Sequence, residues 1–448
     1  MTFEFLWTDI CFLTLLSLGL CLSLYSLRKP PVRQSFTIIL HRPIGLSAGV
    51  VLLVFLTIGV LDSIHFRSVA AESDNATSLL DKIFYPLGDS YEKTYSAPLA
   101  MHLFVSETEV VGTVAKQVYP RLSYPPKSMN TEADKQAFIK KALLLAGGYS
   151  VLITACFWLL IALIRLCLGY TPVCVLSRSG GYALVTLGVL VFALLAGFLI
   201  SRSLHVLGTG QIGQDVFYFS IKSIRTGLII GTLTTLFMMP LALFLGIVAG
   251  YFGGIVDDVI QYIYTTLSSI PGVLLITASV LSLQTYISSH PEQFTTLAQS
   301  ADARLLALCL ILGVTSWTSL CRLLRAETLK LREIDYVQAA RALGSSWITI
   351  IRKHLLPNVM HIVVITLVLD FSFLVMAEAV LSYVGVGVSP MTISWGNMIN
   401  GARLELARDP LVWWPMFAAF LLMFLLVLAI NLFADAVRDA FDPHQAYV

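Results

Sequence analysis

The chain has 448 residues, of which 57% are hydrophobic and only 12% are charged. Soluble domains carry charge on roughly a quarter of their residues, so this composition excludes an ordinary soluble domain and predicts an integral membrane protein. The net charge is only +2, which argues against a strongly basic surface for binding nucleic acid.

Nine apolar segments along the chain are long enough, or nearly so, to cross a membrane. A bilayer core about 30 Å thick requires about twenty residues of helix. The segments lie near residues 4–27, 44–65, 146–168, 181–200, 222–250, 256–282, 303–323, 361–384 and 411–436. We therefore predict an all-α fold, a polytopic bundle of membrane helices embedded in the lipid bilayer.

Lysine and arginine residues set the predicted orientation of the bundle. One basic loop joins the first two segments and a second basic stretch follows the seventh, so the positive-inside rule places both in the cytoplasm. The loop 283–302 contains neither Lys nor Arg, which agrees with an external position. Nine crossings then leave the amino terminus outside and the carboxyl terminus in the cytoplasm of a bacterial inner membrane.

A long polar stretch between the second and third segments divides the chain. It contains several prolines and no cysteine, so we predict an external domain without disulfides. The predicted organisation is N-terminal membrane helices over 1–65, a periplasmic insertion over 66–145, a membrane helical hairpin over 146–200 and a core over 201–448.

Glycine and proline residues predict how two of the segments pack. Gly246, Gly250 and Gly254 recur at four-residue spacing, which lets a neighbouring membrane helix approach closely. Pro271 is predicted to kink or interrupt the sixth segment, because proline lacks the N–H that an uninterrupted helix needs.

Four of the ionisable residues in the predicted crossings call for an explanation of where their charge lies. Lys222 and Arg225 lie near the outer end of the fifth segment, where they are expected to snorkel toward the interface. Asp370 and Glu378 lie in the eighth segment, with Asp370 close to mid-bilayer. An ionised acid that faces lipid there costs roughly 2.5 to 3.5 kcal/mol, so we predict that both acids face the bundle interior, a cavity or a polar partner.

Residues 335–358 form a polar and basic island between apolar segments, with the sequence DYVQAARALGSSWITIIRKHLLPN. A first helix is predicted to end at Gly344, because a residue without a Cβ accepts the left-handed geometry that closes many helices. A second short helix is predicted to end before Pro357. Alanines at positions 339, 340 and 342 give the first helix a low relief, which favours close approach by another protein.

This island resembles the EAA loop of ABC importer permeases, within a cytoplasmic docking loop over 325–358. The family pattern is Glu-Ala-Ala, a glycine four residues after the second alanine, and an Ile-x-x-x-Pro-like ending. Gln338 stands here where the family usually has Glu. The resemblance implies a type I importer core, with an ATPase-docking site formed by Gln338, Ala339, Ala340, Arg341, Gly344, Ile351 and Pro357.

Further matches extend the resemblance from His205 to Asp442. The stretches DYVQAARALG, HLLPN, SWGNM and RDAFDP are similar to the oligopeptide, dipeptide and nickel permease branch. Two alignments of the family's first core helix are possible, with 44–65 or with 181–200. We favour the first, which makes 146–200 an inserted hairpin.

A glycine-rich stretch resembles the outer-mouth signature of the same family. The family pattern is LGTDxxGRD, and the chain reads LGTGQIGQD from Leu207 to Asp215. Gly210 and Gln214 replace the usual Asp and Arg, so a charge pair is missing. The retained signature residues are Gly208, Thr209, Gly213 and Asp215.

The chain contains no Gly-Lys dipeptide, so it lacks the usual phosphate loop for ATP. It also lacks the H-E-x-x-H zinc motif, and no metal site or cofactor is predicted. The resemblance implies that ATP and Mg²⁺ bind to two partner ATPase subunits, that a second permease subunit completes the pathway, as a heterodimer in the family norm, and that an external substrate-binding protein delivers the substrate.

The function implied is therefore a non-enzymatic permease subunit for peptides, with nickel, a polyamine or another small solute as alternatives. Asp370 and Glu378 are its candidate pathway residues. An ion-coupled secondary transporter or a channel is the alternative class.

Overall fold

The computed structural model describes residues 2–4, 6–26, 28, 30–67, 77–111, 114–167, 178–290, 292 and 296–441. Within these ranges nine helices are long and apolar enough to cross a membrane, and the predicted all-α class is confirmed. The nine candidate spans are Trp7–Ser26, Pro43–Asp62, Glu132–Leu163, Arg178–Ser201, Val216–Phe252, Gly272–Ser289, Leu297–Arg332, Trp347–Val384 and Trp414–Ala440.

The described elements are mostly helical, and their bounds follow in chain order. The helices are α1 (Trp7–Ser26), α2 (Pro30–His41), α3 (Pro43–Asp62), α4 (Leu79–Ile83), α5 (Glu132–Cys167), α6 (Arg178–Ser201), α7 (Val216–Phe252), α8 (Gly254–Ser269), α9 (Gly272–Ser289), α10 (Leu297–Arg332), α11 (Asp335–Ala342), α12 (Trp347–Ile350), α13 (Leu356–Val384), α14 (Trp395–Ala402) and α15 (Trp414–Phe441). The strands are β1 (Thr2–Glu4), β2 (His65–Arg67), β3 (Thr77–Ser78), β4 (Glu107–Val111) and β5 (Val114–Val118).

Contacts divide the chain into two compact units. The first unit contains residues 1–4, 27–226 and 393–436, and the second contains residues 5–26, 227–392 and 437–448. The long helix α7 begins in the first unit and continues into the second. Each unit is described below by itself.

The first unit contains the polar insertion and two small sheets. Strands β1, β2 and β3 form an antiparallel sheet in which Phe3 is paired with Phe66. Strands β4 and β5 form a separate antiparallel hairpin. Met101 and Met129 of the insertion are buried against Ile200 and Leu204 at the end of α6. The insertion therefore has an apolar core that is continuous with the membrane helices beneath it.

A charge cluster in this unit shows which side chains Lys222 contacts. Its ammonium group donates a hydrogen bond to Asp81 of α4 and lies 3.9 Å from Asp62 at the end of α3. Tyr218, one turn earlier on α7, also donates to Asp81. Lys222 therefore has carboxylate partners from elements far away in sequence, a pairing that the sequence did not predict.

The second unit is built around the packing of α7 on α10. A Cβ added at Gly246 would lie 2.9 Å from the carbonyl oxygen of Cys321, and one at Gly250 would lie 2.8 Å from that of Arg325. These two glycines therefore allow the close approach that their spacing predicts. Gly254 does not take part, since it begins α8 with a φ of +53° and has open space around its Cβ position.

The predicted bounds of the sixth crossing are wrong. Residues 256–282 do not form one helix: α8 ends at Ser269, Pro271 caps the start of α9, and the candidate span is α9 alone. The predicted interruption at Pro271 is confirmed. The chain breaks here because proline has no N–H for the helix ladder and biases the preceding residue toward an extended conformation.

Candidate functional site

The 335–358 segment begins with α11, which ends where the sequence predicts. Gly344 has a φ of +78°, its N–H donates to Arg341 O, and the N–H of Ser345 donates to Ala340 O. A Cβ at Gly344 would meet nothing within 4 Å, so the backbone geometry alone favours glycine. Ser346 then caps α12 by accepting a hydrogen bond from the N–H of Thr349.

The second half of the segment differs from the prediction. No second helix ends before Pro357: α12 continues through a π-helical turn over Ile351–Leu355 directly into the membrane helix α13. A proline ring crowds the carbonyl four residues earlier and provides no N–H. The wider turn before Pro357 accommodates both constraints, and the segment is therefore continuous with a membrane helix.

Three buried side chains hold the segment against its own unit. Val337 of α11 is 1% exposed, and Ile350 and Leu355 are fully buried in a cluster with residues of α7, α8 and α10. Asn358 also donates a hydrogen bond of 2.8 Å to the Tyr336 hydroxyl, which joins α11 to α13. These contacts make the segment a rigid projection rather than a loose loop.

Three large apolar side chains of the segment are exposed. Leu343 is 86% exposed, Ile348 57% and Trp347 48%. The predicted docking residues divide between this surface and the interior. Gln338, Ala339, Arg341, Gly344 and Pro357 are exposed, whereas Ala340 and Ile351 are half-buried and pack on the cluster beneath.

Gln338 has a local reason to differ from the family's glutamate. Its amide donates a hydrogen bond to Glu333 O at 3.0 Å and lies 3.4 Å from the Glu333 carboxylate. A glutamate here would lose this donor and would place two negative charges side by side. Because Glu333 occupies this site, an amide suits position 338.

The outer-mouth signature, residues 207–215, packs closely against the backbone of the polar insertion. Gly208 and Gly213 have φ values of +69° and +77°, and a Cβ on them would lie 2.3 Å from Ser96 O and 1.8 Å from Glu92 O, respectively. Both positions therefore combine left-handed geometry with close approach of another backbone. The N–H of Glu92 donates to Gly213 O at 3.0 Å, which completes the contact.

The two polar residues of the signature also serve this contact. Thr209 accepts a hydrogen bond from the N–H of Ser96 and donates to Thr94 O. Asp215 caps α7 by accepting from the N–H of Tyr218 at 2.8 Å. The substituted residues Gly210 and Gln214 line a small pocket of about 180 Å³ beside this contact.

A buried histidine links the signature to the insertion. His205 is fully buried, with Nδ1 2.6 Å from Asp215 and Nε2 3.8 Å from Glu92. The ring of Tyr124 packs against the imidazole, with the ring centroids 4.8 Å apart and the planes tilted by 31°. Glu92 also accepts hydrogen bonds from the N–H groups of Ser123 and Tyr124.

These contacts shift two pKa values in opposite directions. Burial lowers the pKa of His205, but the carboxylates of Asp215 and Glu92 outweigh it and raise the pKa to about 9. Burial raises the pKa of Glu92, but the nearby imidazole of His205 and hydrogen bonds from the N–H groups of Ser123 and Tyr124 hold it at about 2. At neutral pH His205 is therefore an imidazolium beside the carboxylate of Glu92.

We expect the insertion to loosen as the pH rises. The stability that His205 contributes is complete below its ordinary pKa of 6.5 and is lost as the pH rises through about 9. A rise of the His205 pKa from 6.5 to about 9 corresponds to about 3 kcal/mol of stability. The apparent Tm of the wild type should fall between pH 6.5 and 9.5, whereas His205→Gln should start lower and change less. An identical pH dependence in both proteins would contradict this role for His205.

The two acids of α13 occupy different environments. Glu378 is 3% exposed and accepts a hydrogen bond of 2.7 Å from Ser382, so its predicted inward position is confirmed. Asp370 is half-buried on the flank of the helix between its buried and exposed faces, and within the described part of the chain its carboxylate has no hydrogen-bond partner.

Sequence reasoning missed the partners of the signature. Glu92 and Tyr124 lie in the polar insertion, and both are more than eighty residues before His205 in the chain. No motif marks either residue. His205, which lies three residues before the signature's Gly208, was the available signal. Thr8 and Asp302, which hydrogen-bond to fix α1 on α10, were also missed for the same reason.

The fold and the 335–358 segment together describe a multi-pass helical membrane protein with a basic projection that is continuous with a membrane helix. This architecture agrees with a transport subunit. Residues 242–447 match the family described as the binding-protein-dependent transport system inner membrane component.

Similar proteins agree with this match. A dipeptide transport system permease of Lactococcus lactis is 32% identical over 242 residues, which cover 54% of this chain and 64% of that protein. A glutathione transport system permease of Pectobacterium atrosepticum is 31% identical, over 54% of this chain and 73% of that protein. An oligopeptide transport system permease of Mycobacterium bovis is 31% identical, over 53% of this chain and 76% of that protein.

The chain belongs to the family of binding-protein-dependent transport system inner membrane components. The predicted resemblance to ABC importer permeases is thereby confirmed. The chain is a multi-pass inner-membrane protein and a transport subunit, and the alternative class of ion-coupled carrier or channel is set aside.

Proposed function

We propose that this chain forms half of the translocation pathway of an ATP-driven importer for peptides or a similar small solute. The observation that carries the proposal is the 335–358 segment, a rigid basic projection with an exposed apolar tip at Leu343. The relatives named above are permeases for dipeptides, glutathione and oligopeptides, whose common chemistry is the short peptide.

The proposed partners follow from what the chain lacks. It has no phosphate loop, so ATP and Mg²⁺ bind to two partner ATPase subunits. One docking segment per chain requires a second permease subunit, and a heterodimer is the family norm. A substrate-binding protein delivers substrate to the outer face, as the family description indicates.

The geometry of the segment supports a mechanism for coupling. The predicted docking residues lie on α11, at Gly344, in the π-helical turn and at Pro357 of α13. The α12 helix continues through the π-helical turn into α13, and the hydrogen bond between Asn358 and Tyr336 ties α11 to α13. Movement of the segment by an ATPase would therefore move α13 with it. Closure of the two ATPases shifts the equilibrium between inward-open and outward-open states.

The proposed orientation places the insertion outside. The pairing of β1 with β2 places the amino-terminal strand beside the insertion, and this pairing supports a common side for both. The basic 335–358 segment then lies in the cytoplasm.

Co-purification tests the proposed assembly. The full chain, tagged and purified from its native membrane in mild detergent, is expected to carry a second permease and ATPase chains that mass spectrometry identifies. A chain that purifies alone and transports solute without ATP would contradict the proposal.

We propose that the carboxylate of Asp370 binds a cationic group of the substrate, such as a peptide amino terminus. Asp370→Asn keeps the shape but removes the charge, and loss of a charge-assisted hydrogen bond of about 1.5 to 3 kcal/mol should reduce uptake at limiting substrate about ten-fold or more. Complex yield should not change. If Asp370→Asn transports normally while Asp370→Leu lowers the yield of complex, the residue is structural.

A further inference from the structure

A groove on the first unit lies outside the sites described above. Its volume is about 400 Å³, and it is formed by the first turns of α3, by Tyr182 of α6 and by the second half of α15. Small residues create the depression, since Ala48 and Ala429 form its floor and are each 4% exposed. The other lining residues are Pro43, Ile44, Ser47, Val51, Leu425, Leu428 and Leu432.

The length of the groove matches one leaflet of a bilayer. Its lining on α3 runs from Pro43 to Val51, which is about 12 Å along a helix that rises 1.5 Å per residue. Half of a hydrocarbon core about 30 Å thick is about 15 Å. A transmembrane helix would need a groove that crosses both leaflets, so an occupant confined to one leaflet fits better.

Two arginines lie close in sequence to lining residues, at the amino-terminal ends of α3 and α6. Arg42 immediately precedes Pro43 and caps α3. Arg178 begins α6 one helical turn before Tyr182, so the two side chains share a face. Both arginines stand at helix amino termini, which the predicted topology places at the cytoplasmic membrane surface. Basic residues at such a boundary attract anionic lipid headgroups.

We propose that this groove binds an anionic phospholipid, with an acyl chain along Ile44, Ala48 and Val51 and the headgroup phosphate near Arg42 and Arg178. Charge complementarity at one end and an apolar channel of single-leaflet length select this occupant over a protein helix. The lipid bridges α3, α6 and α15 of the same unit. This inference is independent of the proposed transport function.

Native mass spectrometry of the purified complex tests the site. The complex is delipidated and then equilibrated with mixed micelles that contain equal amounts of phosphatidylglycerol and phosphatidylcholine. The wild type is expected to retain phosphatidylglycerol preferentially. Each arginine near the headgroup contributes about 1 kcal/mol, which is about five-fold, so Arg42→Gln combined with Arg178→Gln should remove most of the preference.

Two further variants separate the groove from the surrounding surface. Ser47→Trp fills the groove and should lower retention of both lipids, whereas Ala193→Trp adds the same ring at an exposed site on α6 and should retain lipid like the wild type. Equal retention of the two lipids by the wild type would overturn the proposal. Unchanged lipid retention in Ser47→Trp would also overturn it. If Ser47→Trp does not fold, the arginine variants test the proposal independently.

Discussion

Leu343→Glu is expected to uncouple ATP hydrolysis from uptake while the chain still folds. Leu343 is 86% exposed at the turn between α11 and α12, so a glutamate there removes no packing within the chain. At the centre of a protein contact, a charge without a partner would cost about 2 kcal/mol or more. ATPase binding should therefore weaken about 30-fold or more, and substrate-stimulated hydrolysis should fall with it.

This position isolates docking better than Ala340 of α11 does. Ala340 is half-buried in the cluster beneath the segment, so a glutamate there would also disturb the fold. Leu404→Glu is the matched control, because Leu404 is 73% exposed in a stretch that the proposed topology places outside. If Leu343→Glu binds the ATPase and supports uptake as well as this control does, the segment is not the docking site.

Gly213→Ala is expected to detach the insertion from the signature. Its Cβ would lie 1.8 Å from Glu92 O, and its φ of +77° is one that alanine adopts at a cost of about 1 to 2 kcal/mol. The obstructing atom belongs to a backbone, so a rotamer change cannot relieve the overlap. Displacement of Glu92 also removes one of the two carboxylates that face His205.

The apparent Tm and the rate of tryptic cleavage at Lys93 and Arg121 measure this effect. Both bonds lie in the insertion, and cleavage should be several-fold faster in Gly213→Ala than in the wild type. Gly401→Ala is the control, because a Cβ at Gly401 meets nothing within 4 Å and the residue lies in a helix. Wild-type Tm and cleavage rates in Gly213→Ala would show that the contact between the signature and the insertion does not depend on this glycine.

Several predictions from sequence were accurate because the signal was local. About twenty apolar residues are sufficient to specify a crossing, and nine candidate spans are present among the described residues. Gly344 ends α11 because its left-handed geometry depends on one residue and its neighbours. Pro271 interrupts its segment for a similarly local reason.

Predictions that depended on context were less accurate. The apolar run 256–282 reads as one crossing, yet it is two helices separated at Pro271. Pro357 reads as the end of a helix, yet a π-helical turn accommodates it. Proline disfavours a regular helix at both positions, but whether the chain breaks or widens depends on the residues packed around it, such as Ile350 and Leu355.

The sequence by itself determined the membrane class, the approximate spans, the family and the position of the 335–358 segment, because hydropathy and short motifs act over a few turns of helix. Only the tertiary structure decided which charges meet: Lys222 with Asp81, and His205 with Glu92 and Asp215. Lys222 and Asp81 are 141 residues apart in the chain. Burial makes an unpaired charge costly wherever it lies, but the partner that neutralises it is selected by the packing of distant helices, and no local pattern records that choice.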